Sequence, residues 1–244
     1  MEKLKLNKTP VRTAKNFNIN NIKLENVKIP QQLPQFKNVT VDYDSSKIQI
    51  EESPSKAELT YGLEKTLTEQ VNEKANKKLL LTVNSKTNTE VGINFKFDDE
   101  NLNLVDNIEI IANENSKATI IIKYEATKNV ENYHNGIIRA QAKKGSSISV
   151  VIVNFTNTTS NNFMSIQNDI EENAKLNYTI IDFGGKNSIT NYYSNLLGDF
   201  SENKVNTIYL GKENQLFDMN YIGELRGKES NIKKRIFTNY YDIL

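Results

Sequence analysis

Few side chains in this sequence of 244 residues are of the types that perform acid, base or nucleophilic chemistry at one site. The absence of Cys excludes thiol catalysis, disulfides and thiolate ligation of zinc or of an iron–sulfur cluster by this chain. The one His, His134, lies between Tyr133 and Asn135. General acid–base catalysis by an imidazole needs a partner at hydrogen-bond distance, and the sequence names none. We therefore predict a surface or stacking role for His134.

Two further segments contain carboxylates that suit a hard cation. Asp98-Asp99-Glu100 supplies three in a row, but consecutive residues of an extended chain point to opposite faces and do not converge on one ion. Asp182-Phe183-Gly184-Gly185-Lys186 contains the letters of a kinase magnesium motif, but no glycine-rich phosphate loop or catalytic loop accompanies it. We predict a solvated turn at the first segment and a turn between coils at the second.

Two tyrosine pairs, Tyr192-Tyr193 and Tyr240-Tyr241, are the aromatic groups that could stack on bases. The chain has 31 basic and 30 acidic residues, so a net charge near zero gives no electrostatic support for nucleic acid or an anionic membrane as a partner. We predict packing or interface roles for these tyrosines. With neither a nucleophile motif nor a phosphate-binding loop nor a zinc signature, the sequence predicts no enzyme, no catalytic residue, and neither metal nor cofactor bound by this chain alone.

The first part of the chain is predicted to be a loosely structured arm that precedes the main domain. It is mostly polar, and apolar and polar residues alternate in two short segments, Val39–Val41 and Ile48–Ile50. Ser55 and Glu58 have the spacing of a capping box, and apolar residues then recur every fourth position, which predicts an amphipathic helix over 55–77. Those apolar residues are Leu59, Leu63, Leu67, Val71 and Ala75. The start lacks the apolar region of a signal peptide, and no apolar run is long enough for a membrane span, so we expect a cytoplasmic protein.

From Lys78 onward the apolar period is two, and strand-like segments repeat at near-constant spacing. Taking Ala118, Ile148, Leu176, Val205 and Ile232 as one column, the spacings are 30, 28, 29 and 27 residues. A second segment precedes the column in each period, as in Ile138–Ala142 and Ile166–Ile170. Helical repeats would need 3.6-residue patterning. We predict a mainly β fold, a parallel β-helix over 78–244 preceded by an N-terminal region over 1–77, with an antiparallel sandwich as the alternative.

Two stretches of the sequence contain distinctive motifs. Leu6–Thr13 contains Pro10-Val11-Arg12-Thr13, and Phe217–Gly227 is followed by Ser230-Asn231-Ile232. The first resembles a segment near the start of SufD-type proteins, and the second is similar to the Glu-His-x-Gly and Ser-x-Ile coil of the SufB/SufD family of iron–sulfur cluster assembly proteins. The resemblance implies a right-handed parallel β-helix and a non-catalytic scaffold of the SUF system. It also implies a SufB-like subunit and a SufC-like ATPase as partners.

The sequence departs from the family pattern in two places. Leu225 stands where the family commonly has His, and the chain stops at Leu244, directly after its last repeat. The resemblance therefore carries over no functional residue, and we expect a C-terminally truncated SufD-like chain without the family's docking segment. The last coil of a solenoid exposes unpaired backbone groups, so we also expect self-association through the C-terminal coil edge. A carbohydrate-active β-helix enzyme and a purely structural β-solenoid are the alternatives.

Overall fold

A computed structural model describes residues 2–8, 22–212 and 214–240 of the chain. The fold is mainly β, a solenoid of about six turns preceded by a small helical region. One helix, α1, spans Lys65–Lys74. The strands are, in chain order, β1 (Glu2–Leu6), β2 (Ile22–Val27), β3 (Val39–Tyr43), β4 (Ile48–Glu51), β5 (Lys77–Val83), β6 (Asn88–Phe97), β7 (Asn103–Ala112), β8 (Lys117–Ala126), β9 (Tyr133–Ala142), β10 (Ser147–Phe155), β11 (Asn161–Ile170), β12 (Lys175–Asp182), β13 (Asn187–Leu196), β14 (Glu202–Gly211), β15 (Leu216–Leu225) and β16 (Asn231–Tyr240).

The solenoid consists of two seven-stranded sheets that face each other. Sheet I has the order β3-β6-β8-β10-β12-β14-β16, and sheet II has the order β4-β5-β7-β9-β11-β13-β15. From β5 onward each coil gives one strand to sheet II and the next to sheet I, and all neighbours from there are parallel. The predicted parallel solenoid is confirmed, and the antiparallel sandwich was the wrong alternative. Its right-handedness stays a prediction.

The core lies between the two sheets because every second residue of each strand points inward. Inward-facing isoleucines such as Ile120, Ile148 and Ile166 are fully buried. The pairs Ile166↔Ile138 and Ile170↔Ala142 lie in register, as the sequence repeat predicts. The alternation of apolar and polar residues in the sequence therefore identifies the side chains that face the interior of the solenoid.

The predicted apolar column is wrong at one coil. Ala118, Ile148 and Leu176 are in register, but Leu176 pairs with Asn203, and Asn203 pairs with Ile232. Val205 lies two residues further along the strand, opposite Tyr178. Asn203 occupies the buried column because its amide donates to the Leu176 carbonyl at 3.0 Å and to the Tyr192 hydroxyl at 2.9 Å. A sequence alignment based on apolar residues misses a position like this one, where a buried amide has its hydrogen-bond partners.

The turns from sheet II to sheet I share one local design. Each contains a residue in the left-handed backbone region, for example Asn115, Asn173 or Gly145. Asn and Gly adopt this conformation more readily than other residues do. A small hydroxyl residue often follows, and the Oγ of Ser116, like that of Ser201, donates to a carbonyl three residues back. The turn chemistry explains why Ser recurs at the start of the sequence repeat.

The first coil is closed by two antiparallel strands. β3 pairs with β6 in sheet I and β4 pairs with β5 in sheet II, so the predicted strands Val39–Val41 and Ile48–Ile50 are confirmed and extend both sheets. Phe36 is buried at this end, with its ring edge-on to Phe97 at 5.3 Å between centroids. This closure shields the apolar interior from solvent.

The helix is shorter than the sequence predicts. α1 begins at Lys65 with Glu64 as its N-cap, and the residues from 52 to 64 are irregular, so the predicted start at Ser55 is wrong. The reason is that Ser55 makes its hydrogen bonds to sheet II: its backbone N–H donates to Glu109 at 2.7 Å and its hydroxyl contacts the same carboxylate. Leu63, Leu67 and Val71 are buried, so the predicted stripe does pack against the β-helix.

The N-terminal region covers the outer face of sheet II. Apolar residues of β1, β2, α1 and the irregular segment form a second hydrophobic cluster with the outward-facing Val105, Ile137, Phe163 and Ile189. Asn7 is buried beneath this cover, and its amide donates to the Thr190 carbonyl at 3.1 Å. The Pro10–Thr13 segment lies outside the described residues.

Candidate functional site

His134 is the centre of a buried polar network, so the predicted surface position is wrong. Its side chain is fully buried. The Nε2 atom lies 2.6 Å from Asp106 Oδ1, and Nδ1 lies 2.5 Å from Asn162 Oδ1. The stacking part of the prediction holds, since the imidazole packs on the Tyr124 ring at 4.2 Å between centroids. The Tyr124 hydroxyl donates to the other oxygen of Asp106 at 3.2 Å.

The network continues from Asn162 across the interior to sheet I. The Asn162 amide donates to Ser188 Oγ at 2.9 Å, and that hydroxyl donates to Asp182 at 2.5 Å. Asn154 donates to the second oxygen of Asp182 at 2.7 Å. The strand register explains the chain of contacts: Tyr124, Asn154 and Asp182 form one column of sheet I. His134, Asn162 and Ser188 form the facing column of sheet II.

Hydrogen-bond chemistry fixes where most of the protons lie. Asn162 donates its amide to Ser188, so its carbonyl oxygen faces His134 Nδ1, and that nitrogen is the donor. Nε2 lies 2.6 Å from Asp106 Oδ1, so the second ring nitrogen is hydrogen-bonded as well. Asp106 and His134 are therefore a buried hydrogen-bonded pair.

Gly136 makes room for this pair. A Cβ at this position would lie 2.7 Å from His134 Nε2 and 2.8 Å from Asp106 Oδ1, both shorter than a van der Waals contact. Gly136 also pairs directly with Asp106 in the strand register. A lone Gly within a predicted strand often marks a place where another group lies close to the backbone. Gly136 is such a signal, and our sequence analysis did not consider it.

Asp182 is the second buried carboxylate of the network. Burial raises its pKa to about 6, although hydrogen bonds from Ser188 and Asn154 and from the Gly184 backbone lower it. The predicted turn after it is confirmed, because β12 ends at Asp182 and β13 begins at Asn187. Gly184 fits there because a Cβ would lie 2.4 Å from the Thr156 nitrogen. The segment that contains the kinase-like motif, Asp182–Lys186, is thus a turn between two coils.

The network joins the two sheets and is closed to solvent. Asp106, His134 and Ser188 are fully buried, and Asp182 is 1% exposed. On the next coil the same two columns hold Tyr209 and Phe217, whose rings stack at 5.6 Å between centroids. The hydrogen bonds of His134, Asp106 and Asp182 therefore link three coils of the two sheets across the core and stabilise their pairing.

The acidic segment Asp98–Glu100 forms a turn between two strands. Asp98 is the acceptor of a turn, and hydrogen bonds from Asn101 and Asn38 lower its pKa to about 2. Asp99 forms an ion pair with Lys128. The Asp98–Glu100 segment is the solvated turn that the sequence predicts. In the part of the chain that the structure describes, no three His, Asp or Glu side chains are grouped to hold a metal ion.

The first tyrosine pair packs as predicted. Tyr192 is buried in the core beside Tyr178, and Tyr193 packs on Tyr61 with ring centroids 5.1 Å apart. Tyr240 ends β16, and Tyr241 lies outside the described residues. Within the described residues, no helix is long and apolar enough to cross a bilayer.

The last described coil is the most exposed part of the solenoid. Leu225 on β15 and Ile236 on β16 are 55% and 45% exposed. Lys234 points inward, and its Nζ lies 4.2 Å from the centroid of the Tyr221 ring. Partial burial of that ammonium lowers its pKa. An inward-facing charge on an edge strand discourages uncontrolled pairing of the edge.

The described part of the chain is thus a two-sheet parallel solenoid in which His134, Asp106 and Asp182 lie in the closed interior. In a comparison with protein families, residues 95–235 match the family described as SUF system FeS cluster assembly, SufBD core domain. The match covers more than half of the chain, and the chain belongs to this family. It includes β7 to β15 entirely, the last three residues of β6 and the first five residues of β16. A search of curated proteins found no match.

Proposed function

We propose that the chain is a SufD-like scaffold subunit of SUF iron–sulfur cluster assembly, and that it acts by binding proteins and not by catalysis. The match to the SufBD core domain over residues 95–235 carries this proposal. That family assembles iron–sulfur clusters within the SUF system and is generally non-catalytic. We propose a SufB-like subunit and a SufC-like ATPase as the partners, and the cytoplasm as the location.

The chemistry of the described residues supports a role in binding. The imidazole and the two buried carboxylates of the interior bond to each other and to neighbouring amides and hydroxyls. Leu225 occupies the position of the family's His, and its side chain is aliphatic and exposed. The chain lacks Cys, so it offers no thiolate to a cluster. The cluster is thus cargo held by other components of the proposed assembly.

The exposed coil formed by β15 and β16 is the proposed contact with the SufB-like partner. Neither strand has a second neighbour within the described residues. The backbone groups of an edge strand are free to pair with another chain, and exposed Leu225 and Ile236 add apolar area beside them. Pairing with a second copy of this chain uses the same edge, and the two outcomes differ in the mass of the complex.

Co-expression with the SufB-like and SufC-like proteins of the source organism tests the proposal. We expect a stable complex, whose subunits are counted by native mass spectrometry. Leu225→Asp weakens it at least tenfold because it places a charge in the contact. Leu197→Asp is the matched control, since Leu197 is 44% exposed in the turn between β13 and β14, and it leaves the complex intact.

Two outcomes contradict the proposal. If neither protein co-purifies while the chain is folded and β-rich by circular dichroism, the chain lacks the scaffold role. The purely structural solenoid then remains. If a complex forms but Leu225→Asp and Leu197→Asp weaken it equally, the contact lies elsewhere than the β15–β16 coil.

A further inference from the structure

The outer face of sheet I carries apolar side chains that no part of the described chain covers. Val153, Ile181, Ile208 and Phe237 lie in register on β10, β12, β14 and β16 and form a stripe across four strands. Phe237 is 54% exposed. At a strand spacing of about 4.8 Å the stripe is about 14 Å long, the length of roughly nine residues of a helix.

More apolar side chains widen this stripe at its sides. Ile121 is 45% exposed and pairs with Val151 in the neighbouring column. Phe155, the last residue of β10, and Phe183, directly after β12, are exposed, with ring centroids 5.6 Å apart. Val153, Ile181 and Ile208 are partly exposed, so the stripe joins the exposed side chains at its sides and its end. A contiguous apolar surface of this kind marks a binding site for another molecule more often than isolated apolar residues do.

A cluster of cations lies directly beside the stripe. Lys204, Asn206, Lys233 and Arg235 line a groove of about 310 Å³ on the outer face of β14 and β16. Lys204 and Lys233 are direct cross-strand partners. Like charges in that position destabilise a sheet. Among the described residues no carboxylate forms a salt bridge with the three cations.

The nearest acidic group does not neutralise the cluster. Glu202 lies at the start of β14, and its carboxylate is held by Lys175 at 2.7 Å. The pKa of Glu202 is lowered first by that hydrogen bond and further by Lys204 and Lys233. The cluster therefore has an excess of positive charge that a carboxylate from another molecule would offset.

We propose that the outer face of sheet I is a docking surface for a protein segment that presents carboxylates beside apolar side chains. Arg235 binds a carboxylate through its two-pronged guanidinium, and Asn206, its direct cross-strand partner, adds an amide donor. Ile208 and Phe237 lie two residues further along the same strands and receive the apolar side chains. This inference goes beyond the SUF scaffold role, because it depends on neither the SufB-like nor the SufC-like protein.

Two features favour a protein segment over a membrane or nucleic acid. Lys204, Lys233 and Arg235, which have no salt bridge among the described residues, occupy one end of the face, whereas at the other end, on the outer side of β8, Lys123 is paired with Glu125. The chain as a whole carries a net charge of only +1. A lipid surface or a nucleic-acid backbone favours positive charge spread along the contact, whereas an acidic and apolar segment matches the separation seen on sheet I.

A fluorescein-labelled 18-residue amphipathic peptide, with Leu on one face and Glu along its rim, is the probe. We expect saturable binding by fluorescence anisotropy, weakened at least tenfold in the double variant K233E/R235E and in Phe237→Ser. The control K23E/K78E makes the same change in net charge with two exposed lysines remote from the groove, and it changes affinity less than twofold. Thermal melting of each variant verifies that it is folded.

Several outcomes overturn the proposal. One is the absence of saturable peptide binding by the folded wild-type chain, and another is equal weakening by K233E/R235E and K23E/K78E. A peptide with Gln in place of Glu that binds as tightly also contradicts it. Phosphatidylserine vesicles and a 20-base-pair DNA duplex are tested in parallel, and variant-sensitive binding of either one without binding of the peptide assigns the face to that ligand instead.

Discussion

The two outer faces of the solenoid belong to the same coils, but the N-terminal region covers only the face of sheet II. On sheet II the outward-facing Val105, Phe163 and Ile189 are fully buried beneath the N-terminal region. On sheet I the outward-facing Ile121 and Phe237 are about half exposed. The same kind of apolar side chain thus stabilises the fold on one face and remains available for recognition on the other.

Ion pairs show the same contrast. Glu109 and Arg139 on the outer face of sheet II have side chains only 7% and 13% exposed, and Arg139 also donates to the Ser55 carbonyl at 2.7 Å. Lys123 and Glu125 on sheet I form a pair at 35% and 22% exposure. A pair withdrawn from water contributes to docking of the N-terminal segment, whereas a solvated pair contributes little.

A matched pair of isoleucines gives the largest expected effect. Ile189→Asp places a charge in the covered cluster of sheet II and lowers the free energy of unfolding by about 4 kcal/mol or more. Ile121→Asp introduces the same charge on the exposed face of sheet I and costs about 1 kcal/mol or less. Urea denaturation measures both. Equal losses would mean that the two faces are equally covered in solution.

The buried ion pair gives a smaller difference. Arg139→Ala leaves the Glu109 carboxylate nearly buried with only its Ser55 donors, so we expect a loss of about 2 kcal/mol. Lys123→Ala removes the ion-pair partner of Glu125 on sheet I, which keeps the Asn94 amide as a donor, and changes stability by less than about 0.5 kcal/mol. Proteolysis of the N-terminal segment should accelerate only in Arg139→Ala. If both variants are equally stable, that pair does not hold the cover on sheet II.

The sequence predicted the inner face of the solenoid better than either outer face. Period-two patterning located the strands because inward positions such as Ile120 and Ile148 are apolar in nearly every coil. It failed at Asn203 and His134, whose burial depends on partners distant in the sequence, Tyr192 and Asp106. The helix start was wrong at Ser55 because a contact with Glu109, 54 positions away, outweighs a local capping signal. Long-range hydrogen bonds are invisible to local patterns.

Asp182 belongs to the interior that joins the two faces, and its effect on stability depends on pH. Its pKa is about 6 in the folded chain against an ordinary value of 3.8, so the folded state binds more protons than the unfolded state between these values. This group therefore favours folding below about pH 4, and its contribution is lost as the pH rises to about 6, by roughly 2 to 3 kcal/mol.

The variant Asp182→Asn isolates this effect because it resembles the protonated acid in shape. We expect the stability of wild type relative to Asp182→Asn to fall between pH 4 and pH 6 and to be level above pH 6. Urea midpoints at half-unit pH intervals measure it. A constant difference across that range would mean that Asp182 titrates in the same way in both states.

Hydroxyl-radical footprinting of the free chain tests the contrast between the faces most directly. Phe155, Phe183 and Phe237 report on the outer face of sheet I, and Phe163 reports on the outer face of sheet II. We predict oxidation of the three sheet I rings at least tenfold faster than that of Phe163, and protection of those three when the acidic peptide is bound. Similar oxidation rates for Phe163 and the three sheet I rings in the free chain would contradict the account.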